Sequence, residues 1–140
     1  MPMQLVVLVV ALHAAVIDCR YRILPNSLTA FIAILGVSYC FLSQAAPPSL
    51  YWIVTLTHVV VGLVYPQGFG MGDVKLFAGL GLFLHDSGWF LTWIALSYGS
   101  SLIWGLLRRE KSVAFGPHIV MAWFLCCVGD YSHVSFPDRW

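Results

Sequence analysis

The chain has 140 residues, of which 60% are hydrophobic and only 9% charged, with a formal net charge of +1 and a mean hydropathy of +0.85. A soluble domain carries roughly a quarter charged residues to face water, so this composition excludes a solvated globule and places the chain in a membrane. No basic run is long enough to track phosphates, and no nucleic-acid partner is expected.

Only helices and closed barrels satisfy their backbone inside a bilayer. A barrel needs alternating strands of about ten residues, whereas the runs 5–15 and 91–96 are apolar on every face. Helices are therefore expected. One span takes about 20 residues, leaving room for roughly six with short loops. The expected fold is all-α: a single polytopic membrane domain over residues 1–140.

The first apolar segment, 3–17, has no positive charge before its apolar core. A secretory signal would carry one, so this segment reads as a retained first span. It meets a polar stretch, Asp18-Cys19-Arg20-Tyr21-Arg22-Ile23-Leu24-Pro25-Asn26. Pro25 disfavours helix at Leu24, and Asn26 is placed to cap the second segment, 28–42, by accepting from an orphan amide. Pro47 and Pro48 separate that segment from the third, 50–64. A glycine-rich stretch, 66–73, leads into the fourth, 74–84. A tight turn at 85–88 precedes the fifth, 89–107, and a charged cluster from Arg108 precedes the sixth, 118–128. The fourth and sixth are short for a crossing, so they borrow flanking residues or sit in thinned bilayer.

Lysine and arginine set the orientation. With Met1 outside the cytoplasm, Arg20, Arg22, Lys75, Arg108, Arg109 and Lys111 fall on the cytoplasmic side, and only Arg139 lies outside. The same assignment brings Asp18 and Asp73 to the cytoplasmic side together.

Of the six acids, Asp86, Glu110, Asp130 and Asp138 lie in turns, the basic cluster or the tail, and read as solvated. Asp18 and Asp73 each meet the end of an apolar segment, where an ionised group is costly and usually faces a protein interior or a water cavity. Asp73 sits in Gly68-Phe69-Gly70-Met71-Gly72-Asp73-Val74-Lys75. Alternating glycines permit positive φ and close backbone approach, and the first turn of a helix favours a carboxylate. Each acid alone admits a plainer account: Asp18 as an interfacial charge beside Arg20 and Arg22, Asp73 as a helix cap. Together, two carboxylates at one depth can share a proton and activate water on a peptide carbonyl. The sequence has no H-E-x-x-H pair and no G-x-S-x-G elbow. His13 and His58 lie within apolar segments and read as polar links between helices. Cys19, Cys40, Cys126 and Cys127 form no C-x-x-C pair and read as structural.

Three blocks in order carry a resemblance. Asp18-x-Arg20 followed by Leu24-Pro25-Asn26, then Gly70-x-Gly72-Asp73-Val74-Lys75, then Phe115-Gly116-Pro117 resembles the type IV prepilin leader peptidases, among the G-x-G-D intramembrane aspartic proteases. The resemblance implies a bacterial inner-membrane enzyme that clips the short basic leader of a prepilin or pseudopilin at the cytoplasmic face, typically after a glycine. It implies Asp18 and Asp73 as the catalytic pair, with no metal or cofactor. Arg20, Pro25, Asn26, Gly70, Gly72, Lys75, Phe115, Gly116 and Pro117 match supporting positions; Lys75 is expected near the pair, lowering a carboxylate pKa. Longer members carry a cytoplasmic C-x-x-C segment associated with N-methylation. The stretch between the first two segments here is too short for it, so methyltransferase activity is not expected, and the compact form resembles peptidases of tight-adherence (Flp-type) pili. Without the resemblance, a small proton- or cation-coupled transporter using the same carboxylates or a secretion scaffold would fit the same composition.

Overall fold

The computed structural model describes residues 2–65, 70–109 and 113–134, with side chains for 3–65, 70–109 and 113–129. Six helices follow in order: α1 (Pro2–Tyr21), α2 (Asn26–Ser43), α3 (Ser49–Val64), α4 (Met71–Gly81), α5 (Ser87–Arg108) and α6 (Gly116–Val134). No strand occurs among the described residues. The all-α membrane architecture expected from composition is the one observed.

Helix ends differ from the expected segments in an instructive way. α1 runs four residues beyond its apolar segment, so Asp18 lies inside the helix. The chain leaves it at Arg22, which adopts φ 55° while its N–H still bonds the Asp18 carbonyl at 2.9 Å. Helical hydrogen bonding thus continues through residues whose side chains are polar. α2 begins on Pro25, with φ −63° and ψ 127°, a backbone proline holds without strain. Asn26 does not cap α2 as expected: it is the first helical residue, and no side chain caps this end. Asp86 does cap α5, accepting from Gly88 and Trp89 N–H at 2.8 and 3.0 Å.

The shortest helix occupies the centre. α4 buries Val74, Leu76, Phe77, Gly79, Leu80 and Gly81, with α2, α3 and α6 packed around it. Its eleven residues reach about 16 Å, well short of a hydrocarbon core of about 30 Å. The helices long and apolar enough to cross unaided are Met3–Tyr21, Asn26–Ser43 and Ser87–Arg108, with Ser49–Val64 and Gly116–Gly129 apolar but shorter. Their outward residues, among them Val9, Phe41, Leu63, Val64, Leu102 and Leu106, are exposed apolar side chains. In water such a surface would aggregate; lipid is its natural solvent.

Lipid supplies little hydrophobic drive between helices, so close packing and internal hydrogen bonds hold the bundle. α2 and α4 approach at two glycines. A Cβ on Gly36 would stand 2.9 Å from the Gly79 carbonyl oxygen, and one on Gly79 would stand 3.0 Å from Ile32 Cγ2 and 3.1 Å from the Ala33 nitrogen. Phe77 stacks on Trp93 with centroids 4.2 Å apart. Buried polar tips find carbonyls on neighbouring helices: Tyr51 O–H donates to Ala78 at 2.8 Å, and Trp93 Nε1–H to Ile119 at 3.0 Å.

Filling the α2–α4 approach should therefore loosen the core. Gly79→Val is expected to cost about 1–3 kcal/mol through overpacking, read as a lower Tm in detergent. Gly99, where a Cβ would meet nothing within 4 Å, should accept alanine with an equal or higher Tm. Equal melting of Gly79→Val and the parent would contradict the packing described.

Candidate active site

Three helix ends converge: the last turns of α1 and the first turns of α4 and α6. Asp18 is only 6% exposed. Its Oδ2 accepts the Gly116 N–H at 3.0 Å, across 98 positions of sequence. The first amides of a helix have no partner within it, and the dipole makes that end attractive to an anion. Gly116 begins α6, so the α6 start is built around the Asp18 carboxyl group. Any Cβ at Gly116 would lie 2.8 Å from Oδ2, which only glycine avoids. Pro117 follows where a helix does not need its N–H. The Phe115 carbonyl then receives the His118 and Ile119 N–H groups, each at 3.1 Å. The charge of Arg22 also acts on Asp18.

Asp73 occupies the first turn of α4, as its sequence setting suggested. Its N–H bonds the Gly70 carbonyl at 3.0 Å. Its Oδ1 is shut off from solvent with no hydrogen-bond partner among the described residues. Asp18 and Asp73, from different helices, lie close enough for the charge of Asp18 to act on Asp73. Of the described glycines before Asp73, neither is needed for an unusual dihedral, and Gly72 serves space. Gly70 has φ −69°, and no described glycine has positive φ, contrary to one use expected of them. A Cβ on Gly72 would press 2.8 Å from Leu24 Cβ; a Cβ on Gly70 would make only ordinary contact, 3.4 Å from Asp73 Oδ2. Gly68 and Phe69 lie outside the described residues.

Lys75 corrects a third expectation. Its Nζ donates to Asn26 Oδ1 at 2.8 Å, rather than to either carboxylate. Asn26 is thus a cross-link between the starts of α2 and α4, which explains why it does not cap its own helix. The Leu24-Pro25-Asn26 block works as a clasp: Leu24 lies against Gly72, the Pro25 carbonyl receives the Leu28 and Thr29 N–H groups at 3.2 Å each, and Asn26 holds Lys75. The bend between the first two helices is thereby tied to the start of α4, which carries Asp73.

Clefts open on both sides of Pro117. One of about 340 Å³ is bordered by Cys19, Arg22, Trp104 and His118. Another of about 220 Å³ is mostly apolar, with Leu12, Val16 and Met121 on its walls and Arg20 at its edge. The described cations, Arg20, Arg22, Lys75, Arg108 and Arg109, sit on helix ends at this pole of the bundle. Glu110, Lys111, Asp138, Arg139 and the Asp130 side chain lie outside the described residues.

The two histidines separate. His13 is exposed on α1. His58 is buried, with Nδ1 2.7 Å from the Val54 carbonyl and Nε2 paired with the Tyr98 hydroxyl, so it does link α3 to α5. Tyr98 escaped the sequence analysis. Its ring packs 4.9 Å from that of Phe115, and the charge of Asp73 reaches its phenol. A single tyrosine among the small residues Ser97, Gly99, Ser100 and Ser101 of a membrane helix carries no signal that separates it from a lipid-facing aromatic.

The three motif blocks therefore meet at one pole, around two acids. A model of the type IV leader peptidase family matches residues 5–129, which hold all three blocks. This chain belongs to that family. No curated protein and no solved structure matches it. As a type IV leader peptidase it is a membrane protease of the prepilin-processing kind, and prepilins are the substrate class that membership implies.

The Asn26–Lys75 link is testable on the folded leader peptidase. In a double-mutant cycle, Asn26→Ala and Lys75→Met should couple favourably by about 0.5–1.5 kcal/mol in detergent unfolding. Strict additivity would mean the link contributes nothing to holding α2 against α4.

Proposed function

We propose that this leader peptidase is an aspartic endopeptidase in which Asp18 and Asp73 form the catalytic pair. The observation that carries this is their convergence: Asp18 from α1 and Asp73 from α4 lie at one pole of an otherwise apolar bundle, near enough for the charge of Asp18 to act on Asp73. Two carboxyl groups so placed cannot both ionise cheaply, and they hold one proton between them. The ionised member takes a proton from water as the water oxygen bonds to the scissile carbonyl carbon. The protonated member gives its proton to the carbonyl oxygen. Collapse of the tetrahedral intermediate breaks the C–N bond, and the departing nitrogen leaves protonated as the pair returns to one shared proton.

The substrate is a prepilin or pseudopilin whose short basic leader is removed, with the cut after a glycine preceding its apolar helix. The clefts beside Pro117 and the glycine edge at Gly70 and Gly72 offer places for an extended chain next to the acids. Clustering of cations at the same pole supports its placement at the cytoplasmic face of a bacterial inner membrane, with the N-terminus outside. Four residues, 22–25, join α1 to α2, which supports peptide cleavage without a methyltransferase segment.

Asp18→Asn and Asp73→Asn should each lower prepilin cleavage by roughly 10³-fold or more while the melting curve stays cooperative; substantial turnover by either removes that residue from the pair. Gly116→Ala should displace the Asp18 carboxyl group and lower kcat by about 10²-fold. The pH profile carries its own sign: protonating the second carboxyl group removes the base, so activity must fall on the acid side. A rate that stays level far below pH ~4 would sink the shared-proton scheme.

A further inference from the structure

The seam between α1 and α6 carries two apolar clefts, one beyond the other. Near the acids lies the cleft of about 220 Å³ walled by Leu12, Val16 and Met121. Farther along lies one of about 200 Å³ bordered by Leu5, Leu8, Phe124 and Val128. Residue spacing joins them into a single groove. On α1 the bordering residues include Leu5, Leu8, Leu12, Ala15 and Cys19, at alternating steps of three and four, which keep to one face of a helix. On α6 they include Pro117, Met121, Phe124 and Val128, at the same kind of step. Leu5, Leu12, Met121 and Val128 form exposed rims, while Ala15 and Val120 are buried in the floor. From Leu5 to Cys19 the groove follows α1 for about 21 Å. Arg20, at the end nearest the acids, is the one charged residue bordering it among the described residues.

That end is continuous with the candidate active site. Cys19 and Pro117 border the groove and follow directly on Asp18 and Gly116, which are joined by the 3.0 Å hydrogen bond from amide to carboxyl group. Two stripes with this spacing make a lengthwise hollow, which a third apolar helix fills with side chains at the same repeat. A chain entering lipid there must itself be helical to satisfy its backbone. The hollow between α5 and α6 is a poorer seat, because it carries the polar pair Ser100 and His118, 3.0 Å apart.

We propose that the groove between α1 and α6 is the docking surface for the apolar helix of the prepilin. The helix starts level with Asp18 and runs antiparallel to α1, so the extended residues before it cross the acids. This rests on the aspartic pair and the prepilin substrate proposed above, and deepens them by giving the two parts of the substrate separate seats. A lipid chain fills the groove when no substrate is bound.

Steady-state cleavage by the full chain in detergent tests the assignment with two substrates. One is a whole prepilin; the other is a short peptide that ends a few residues past the cut and lacks the apolar helix. Leu12→Trp and Met121→Trp crowd the groove from its exposed rims. Each should raise KM for the prepilin about tenfold with kcat within about twofold, and leave cleavage of the short peptide at the parental rate. Leu63→Trp, on an exposed face of α3, should change neither substrate. Equal slowing of both substrates, an unmoved prepilin KM in the folded groove variants, or an equal rise in Leu63→Trp would overturn the proposal. If the groove variants do not fold, a photoreactive benzoylphenylalanine at Val16 decides instead. It should cross-link to the prepilin, whereas the same group at Leu63 should not. Cross-links to lipid alone, to a second copy of the chain, or equally from Leu63 defeat the docking surface. Asp73→Asn run alongside keeps the two levels apart: turnover there defeats the aspartic pair itself. An inactive Asp73→Asn with a prepilin KM unmoved by the groove variants defeats only the docking surface.

Discussion

Asp18 is a carboxyl group with hardly any water around it, and its own helix offers it no donor, because the amides of α1 are already bonded along the helix. The unpaired amides at the start of another helix are the nearest remedy. That requirement explains much of the site. α6 must begin beside Asp18, its first residue must lack a Cβ, the next may be proline because its N–H is not needed, and the carbonyl of Phe115 must turn back to receive the following turn. Phe115-Gly116-Pro117 is thus a helix start shaped by a carboxylate that lies 98 positions before its glycine.

The second acid reaches the same place by a different device. α4 is too short to cross a bilayer and is enclosed by its neighbours, so its N-terminus lies at the same pole as the end of α1 instead of being carried away from it. Enclosure demands small residues where α2 crosses, which Gly36 and Gly79 supply, and it demands carbonyl partners for buried hydroxyl and indole groups, which Ala78 and Ile119 supply. Lys75 and Asn26 then anchor the head of α4 to the bend between α1 and α2. Core packing and site geometry are one problem here: whatever holds α4 in the middle also sets where Asp73 stands.

Membership of the type IV leader peptidase family agrees with an arrangement in which both acids sit at the boundary of an apolar bundle rather than at its midpoint. A peptide bond next to an apolar segment of a substrate would meet the enzyme at this depth. The outer faces of the helices remain apolar, so a substrate helix and a lipid chain meet the same kind of surface, while water need reach only the pole that holds the acids.

Composition alone determined that the chain is a helical membrane protein, because 9% charged residues cannot cover a water-soluble surface and an unbroken apolar run cannot be half-exposed strand. The helix order, the short fourth helix and the two acids that meet at one pole were legible for the same reason: prolines, glycines and charges are excluded from apolar spans and therefore mark their ends. Partners across the bundle were not legible. Asn26 looked like a cap and serves Lys75; the glycines before Asp73 looked like a need for positive φ, whereas Gly70 has negative φ and Gly72 makes room for Leu24; Tyr98 looked like nothing in particular. Local sequence fixes what a residue is able to bond, but which donor meets which acceptor depends on helix rotation and depth, and those are settled only when all six helices pack against one another.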